Sequence, residues 1–188
     1  MSSGAAGCRL GRLQRLWPLG LVALGLPIAA NLAVVGVRFN WTTSAPVGFY
    51  LQRPLQLTRG ELVLLCLPPG VEALGRHRGY LPAGQCGGGS SPVLKKLVGL
   101  PGDTIAFAGS LLAVNGEVLA CSPTHASDSA GRPLAHVPFG SRIVRPGDVW
   151  VLGVNPARSW DSRYFGPIPI DSLKASVRPI LTIDLGRP

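Results

Sequence analysis

Apolar positions along the chain fall into one long run and several short ones. From Trp17 to Val37 no residue carries a charge, and about 21 such residues are enough to cross a hydrocarbon core as a helix. Arg9, Arg12 and Arg15 precede the run and no acidic residue does. The positive-inside bias therefore keeps residues 1–16 cytoplasmic, makes 17–37 a single transmembrane anchor and sends 38–188 across the membrane. In a bacterium this describes a single-pass inner-membrane protein with a periplasmic C-terminal domain. A cleaved signal peptide competes with this reading, because Ala29 and Ala30 suit a processing site and Pro27 interrupts the run. Apolar residues continuing to full spanning length favour the anchor.

Beyond the anchor the apolar runs are short and bounded by turn residues. Pro46 and Gly48 break regularity ahead of Phe49-Tyr50, which places Ser44 in a turn before an aromatic strand. Leu62 to Leu67 and Val93 to Leu100 read as buried strands, stopped by Pro68-Pro69-Gly70 and Pro101-Gly102-Asp103. Between them the pattern predicts a loop with one short helix around Val71 to Leu74. Thr104 to Phe107 starts a further strand, and Asn115-Gly116 joins Leu111–Val114 to Glu117–Leu119 as a hairpin. After an irregular stretch from Cys121 to Gly140, Val149 to Leu152 and Val177 to Leu185 complete an all-β, mainly antiparallel body behind one N-terminal transmembrane helix.

Composition agrees: with 188 residues, 46% hydrophobic and 14% charged, the chain can bury one good core. Its 25 Gly and 18 Pro favour short strands and many turns over helices. Net charge is +9, and +6 beyond the three N-terminal arginines, since all nine acidic residues follow Arg38. The basic residues are scattered, which points away from nucleic acid; a surface held against anionic inner-membrane lipid headgroups and an ordinary solvated basic surface both fit the surplus. Of the exported cysteines, Cys66 sits in an apolar stretch and is expected as a buried thiol, leaving Cys86 and Cys121 to pair. No Cys-x-x-Cys or His-x-x-x-His spacing exists, so neither a metal site nor any other cofactor is expected.

Chemistry must come from side chains. His77, His125 and His136 all lie in polar, loop-like surroundings with no nucleophile elbow beside them, which weakens a Ser-His-Asp triad. Lysine is the alternative base, and the chain has only Lys95, Lys96 and Lys174. In Val93-Leu94-Lys95-Lys96-Leu97-Val98, strand alternation sends the adjacent lysines to opposite faces, so one of them points inward. Burial there would lower an amine pKa from about 10.4 toward the 7 to 8 that a general base needs.

Four segments in order resemble the bacterial type I signal peptidase superfamily: Ser44-Ala45-Pro46, then Arg59-Gly60-Glu61-Leu62-Val63, then Leu94-Lys95-Lys96-Leu97-Val98-Gly99-Leu100-Pro101-Gly102-Asp103, and finally Asp148–Trp150 with Ser159-Trp160-Asp161-Ser162-Arg163-Tyr164-Phe165-Gly166-Pro167. Ser-x-Pro-x-Gly-x-Tyr at Ser44–Tyr50, Gly79-Tyr80-Leu81 with Gly84-x-Cys86, and Gly131–Leu134 are similar to the TraF-type peptidases of conjugative transfer systems. The resemblance implies a signal-peptidase-type β fold and a serine endopeptidase working at the membrane surface. Its substrate would be a membrane-associated precursor, a pilin in conjugative pilus maturation, in some members with joining of the pilin ends. A general leader peptidase and a non-catalytic scaffold of a secretion or pilus machine are the rival readings.

By position in these motifs, the resemblance implies Ser44 as nucleophile and Lys95 as general base. It implies an oxyanion hole from the Ser44 N–H and the Thr42 hydroxyl, and Ser159 as the hydroxyl that orients the lysine. Asp161 and Arg163 are expected to support that loop structurally.

Overall fold

The structure, a computed structural model, describes residues 36–42 and 44–183. The expected anchor lies outside these residues apart from its last two. Gly36 is in a turn and Val37 already opens a strand, so the extended chain begins slightly earlier than the charge pattern suggests. Among the described residues no helix is long and apolar enough to cross a membrane.

Among the described residues eleven strands form two sheets. The first sheet runs in the order β1 (Val37–Asn40), β2 (Val47–Arg53), β11 (Leu173–Ile183), β3 (Leu62–Leu65), β4 (Val93–Gly99), β9 (Asp148–Leu152) and β10 (Ile168–Pro169). The second runs β7 (Glu117–Pro123), β6 (Leu111–Val114), β5 (Thr104–Ala108) and β8 (Arg142–Ile143). Ladders among β2 to β11 are antiparallel, so the body is the mainly antiparallel β structure that the short apolar runs predict. Among the described residues two α-helices interrupt it, α1 (Pro69–His77) and α2 (Ser162–Phe165). The first extends the short helix expected around Val71–Leu74 at both ends, with Pro69 pre-set for the first helical position.

The β5–β6–β7 meander follows local chemistry. Asn115 and Gly116 both take positive φ, 52° and 85°, as a two-residue type I′ turn requires. The Asn115 carboxamide also accepts from the Thr104 N–H at 2.8 Å and donates to Asp103 at 2.9 Å, tying the hairpin to the Pro-Gly-Asp turn. A close approach of β2 to β11 depends on Gly48, because a Cβ there would lie 2.1 Å from the Leu181 carbonyl oxygen.

β4 is flanked on both edges, by β3 and β9, and buried on both faces. Leu97 belongs to a cluster with Val63, Leu65, Val149 and Val151, while Val98 packs with Ile105, Leu112 and Trp150. Leu94 joins a third cluster with Ala45 and Tyr50. This central strand carries the two adjacent lysines.

The cysteine expectation is overturned. Cys66 bonds to Cys86, with Cα atoms 5.6 Å apart, and Cys121 is a free, exposed residue. Cys66 lies just past the end of β3, and the chain returns to it after α1; Cys121 sits on β7 in the other sheet. Cysteine number and local hydropathy do not report which thiols the topology brings within bridging distance.

Candidate active site

The alternation along β4 resolves into unlike environments for its two lysines. Lys95, paired across from Val63, is 4% exposed, whereas Lys96 is exposed. Desolvation by burial pushes the Lys95 amine down from 10.5 to about 8; the Asp161 carboxylate opposes that fall and the Arg163 guanidinium adds to it. Lys95 Nζ donates to Ser159 Oγ at 2.6 Å, a short bond between two buried groups.

Ser159 is held in place by its own loop. Asp161 and Arg163 are both fully buried, so they are not the surface pair that their proximity in sequence would also allow. Arg163 Nε donates to Asp161 Oδ1 at 2.8 Å and Nη2 to Oδ2 at 2.9 Å, a bidentate pair. Nη2 also reaches the Ser159 carbonyl at 3.1 Å and the Pro156 carbonyl at 2.7 Å, and Nη1 donates to the Pro123 carbonyl. Asp161 caps α2 and accepts from the Gly153 N–H at 3.0 Å. The ion pair thus fastens three chain segments around Ser159.

Gly153 carries a constraint that motif reading missed. A Cβ at this position would stand 2.2 Å from both Cβ and Oγ of Ser159. Only the absence of a side chain lets the end of β9 pass so close. In sequence it is one glycine among 25, with nothing to mark it.

Ser44 lies in a turn, as expected, and its Oγ is 3.2 Å from Thr42 Oγ1. Asn40 organises this turn and was also missed. Its Nδ2 donates to the carbonyls of Thr42, Ala45 and Pro46 at 3.1, 3.2 and 3.1 Å. These contacts orient the carboxamide so that Oδ1 accepts from the Thr42 hydroxyl at 2.8 Å. The single Thr42 hydroxyl proton is therefore committed to Asn40, leaving Thr42 Oγ1 to accept from Ser44. Thr42 can donate to an oxyanion only by giving up the Asn40 bond. Tyr50 Oη, donating to Pro46 at 2.7 Å, and Asn155 N–H, donating to the Ser44 carbonyl at 2.9 Å, pin the turn from two other elements. The Ser44 N–H has no protein acceptor among the described residues.

Thr42, Ser44, Lys95 and Ser159 all line one cleft of about 1270 Å³. No hydrogen bond joins Ser44 to Lys95: the hydroxyl contacts Thr42 and the amine Ser159. Exposed Phe39 and Trp41 and part-buried Leu64 add apolar surface to the cleft. His77 and His136 lie outside it, while His125 lines it and is exposed. Among the described residues no cluster of three or more His, Cys, Asp or Glu could hold a metal ion. This set offers a hydroxyl, an amine that can be neutral near pH 8 and a free backbone donor, the components of amine-assisted acyl transfer without a metal.

The family model described as signal peptidase, peptidase S26, matches residues 33–181. A plasmid transfer protein TraF of Escherichia coli is 35% identical over 177 residues, covering 92% of this chain and 99% of that protein. A conjugal transfer protein TraF of Agrobacterium fabrum is 38% identical over 174 residues, covering 88% and 94%. A signal peptidase I of Bacillus caldolyticus is 35% identical over 91 residues, covering 45% and 50%.

Proposed function

The chain belongs to the peptidase S26 family of signal peptidases, and from that premise we propose that it is a membrane-bound serine endopeptidase with Ser44 as nucleophile and Lys95 as general base. The observation that carries the reading is the Lys95 amine, buried, brought down to about 8, hydrogen-bonded to Ser159 and facing the same cleft as Ser44. A lysine kept only for stability has no reason to occupy a central strand at such desolvation cost.

In this mechanism the neutral Lys95 amine takes the Ser44 hydroxyl proton as Oγ attacks the scissile carbonyl. The oxyanion is received by the Ser44 N–H, with the Thr42 hydroxyl joining after it turns from Asn40. Collapse of the tetrahedral intermediate breaks the C–N bond, and the Lys95 ammonium returns its proton to the leaving amine. Water then hydrolyses the acyl-enzyme, or an amine of the substrate attacks it and closes a ring. Ser159 accepts from the lysine and keeps its lone pair aimed at the nucleophile.

Similarity to two conjugal or plasmid transfer proteins over nearly the whole chain supports a pilin precursor, processed for conjugative pilus assembly at the periplasmic face of the inner membrane, as substrate. The shorter match to a signal peptidase I supports cleavage of exported precursors generally as the second reading. Both are tested by co-expressing a pilin precursor with wild type or Ser44→Ala in membranes and weighing the products. Cleavage by wild type alone supports the reading, and a product one water lighter than the cleaved chain identifies ring closure. Processing by Ser44→Ala would refute it.

Gly153→Ala provides a separate check on Ser159. The new methyl must displace the Ser159 side chain, and a shift of about 1 Å in a positioning group can cost about 10²-fold in rate. The expected result is that loss of cleavage together with about 1–3 kcal/mol of stability from overpacking, read by precursor processing and urea unfolding. Full activity in this variant would remove Ser159 from the mechanism.

A further inference from the structure

The cleft holds an uncompensated positive charge that catalysis does not use. Arg38 from β1, Lys174 from β11 and Arg158 from the 3-10 turn at Pro156–Arg158 all line it and are exposed. Among the described residues none of the three takes part in an ion pair. Arg38 has a 3.4 Å contact with the neutral Gln52. Asp128 is the carboxylate that lines the cleft, and its acceptors are occupied. Oδ2 accepts from Tyr80 at 2.5 Å and from Arg132 Nε at 2.7 Å; Oδ1 accepts from the N–H groups of Ala130 and Arg132, both at 2.9 Å. The Arg132 ion pair cancels its charge.

We infer that Arg38, Arg158 and Lys174 select peptides bearing acidic residues close to the scissile bond. This rests on the peptidase reading above and specifies its substrate class. Position supports it: Arg158 immediately precedes Ser159, which holds Lys95, and Arg38 lies two residues before Asn40, which braces the nucleophile turn. At about 1270 Å³ the cleft exceeds the ~300–1,000 Å³ of small-molecule pockets and suits a length of peptide. Its apolar walls concentrate the field of the three cations on whatever enters. Carboxylates are attracted and lysine-bearing peptides repelled, a discrimination that acts through complementarity more than raw affinity. The concave placement beside Ser44 favours a peptide over the flat surface of a bilayer.

The test uses the full chain in phosphatidylcholine vesicles with quenched fluorogenic decapeptides. Each has small residues at the scissile bond and Glu, Gln or Lys within three positions of it. The expected kcat/KM for Glu peptides exceeds that for Gln peptides by about 2- to 5-fold per contacting cation, with Lys peptides below both. The Glu-to-Gln ratio falls toward one in the triple variant R38Q/R158Q/K174Q and between about 0.1 and 1 M salt, as the screening length shrinks from about 10 to about 3 Å. It is kept in Arg145→Gln, an exposed cation outside the cleft. Equal cleavage of Glu and Gln peptides by wild type overturns the charge inference and leaves the peptidase intact. Cleavage of none overturns the peptidase reading and this inference with it. A ratio kept by the triple variant, with wild-type activity rising only in phosphatidylglycerol vesicles, assigns the cations to lipid headgroups and also overturns it.

Discussion

Lys95→Ala is expected to reduce precursor cleavage by about 10²–10⁴-fold, the contribution of a positioned general base. The fold should survive, because the side chain removed is one that the interior accommodates at a cost. Wild-type kcat/KM should rise with pH through a midpoint of about 8, where the buried amine becomes neutral. The same group makes a prediction about stability. Its fall from 10.5 to about 8, at about 1.36 kcal/mol per unit, corresponds to a penalty of about 3 kcal/mol on the folded state. Because the folded-state value is depressed, the unfolded chain binds the extra proton between pH 8 and 10.5, so wild-type stability rises with pH across that window. Below about pH 8 the penalty is present in full. Lys95→Met should therefore be more stable than wild type at neutral pH, with the difference shrinking as pH approaches 10.5. Urea unfolding of both proteins across that range measures it. A Lys95→Ala protein that still cleaves, or a rate independent of pH from about 7 to 10, would eliminate Lys95 as base and make Lys96 and His125 the next candidates.

Asp161→Ala should cost the fold more than any other single change at the site. It leaves the Arg163 guanidinium, fully buried, without its carboxylate, and breaking one side of a buried pair typically costs about 3–5 kcal/mol. That is a large share of the roughly 5–15 kcal/mol that holds a domain together. Asp161→Asn is the informative companion, since it keeps the shape and an acceptor for Gly153 or Arg163 while removing the charge. The Asp161 carboxylate raises the Lys95 amine, so its neutralisation should move the pH midpoint of cleavage below that of wild type. A folded Asn variant with an unmoved or raised midpoint would show that Asp161 does not act on Lys95 electrostatically.

Much of this architecture was legible locally. Alternation and turn residues marked β3, β4, β6 and β9, and Asn115-Gly116 marked its hairpin, because each depends on neighbours a few residues away. The same alternation required Lys95 and Lys96 to face opposite ways. It did not say which would be inside, and resemblance to a family supplied the choice. β1 was hidden at the end of the apolar run, where hydropathy alone does not distinguish the last turn of a spanning helix from an edge strand.

What the sequence by itself determined was most of the longer strands and the family to which the chain belongs; it also singled out the residues proposed for acyl-transfer chemistry. The tertiary structure decided which of those residues meet. Lys95 reaches Ser159 across 64 positions, a contact created by pairing β4 with β9 and turning the chain back through the 3-10 turn at Pro156–Arg158. Cys66 finds Cys86 rather than remaining a thiol, Asn40 spends its amide on three carbonyls, and Gly153 makes room for Ser159. The physical reason is common to all four. Hydrophobic periodicity encodes which face of an element is buried, but the partner met on that face is set by strand order and register, and burial then fixes the energy of each polar group according to that partner.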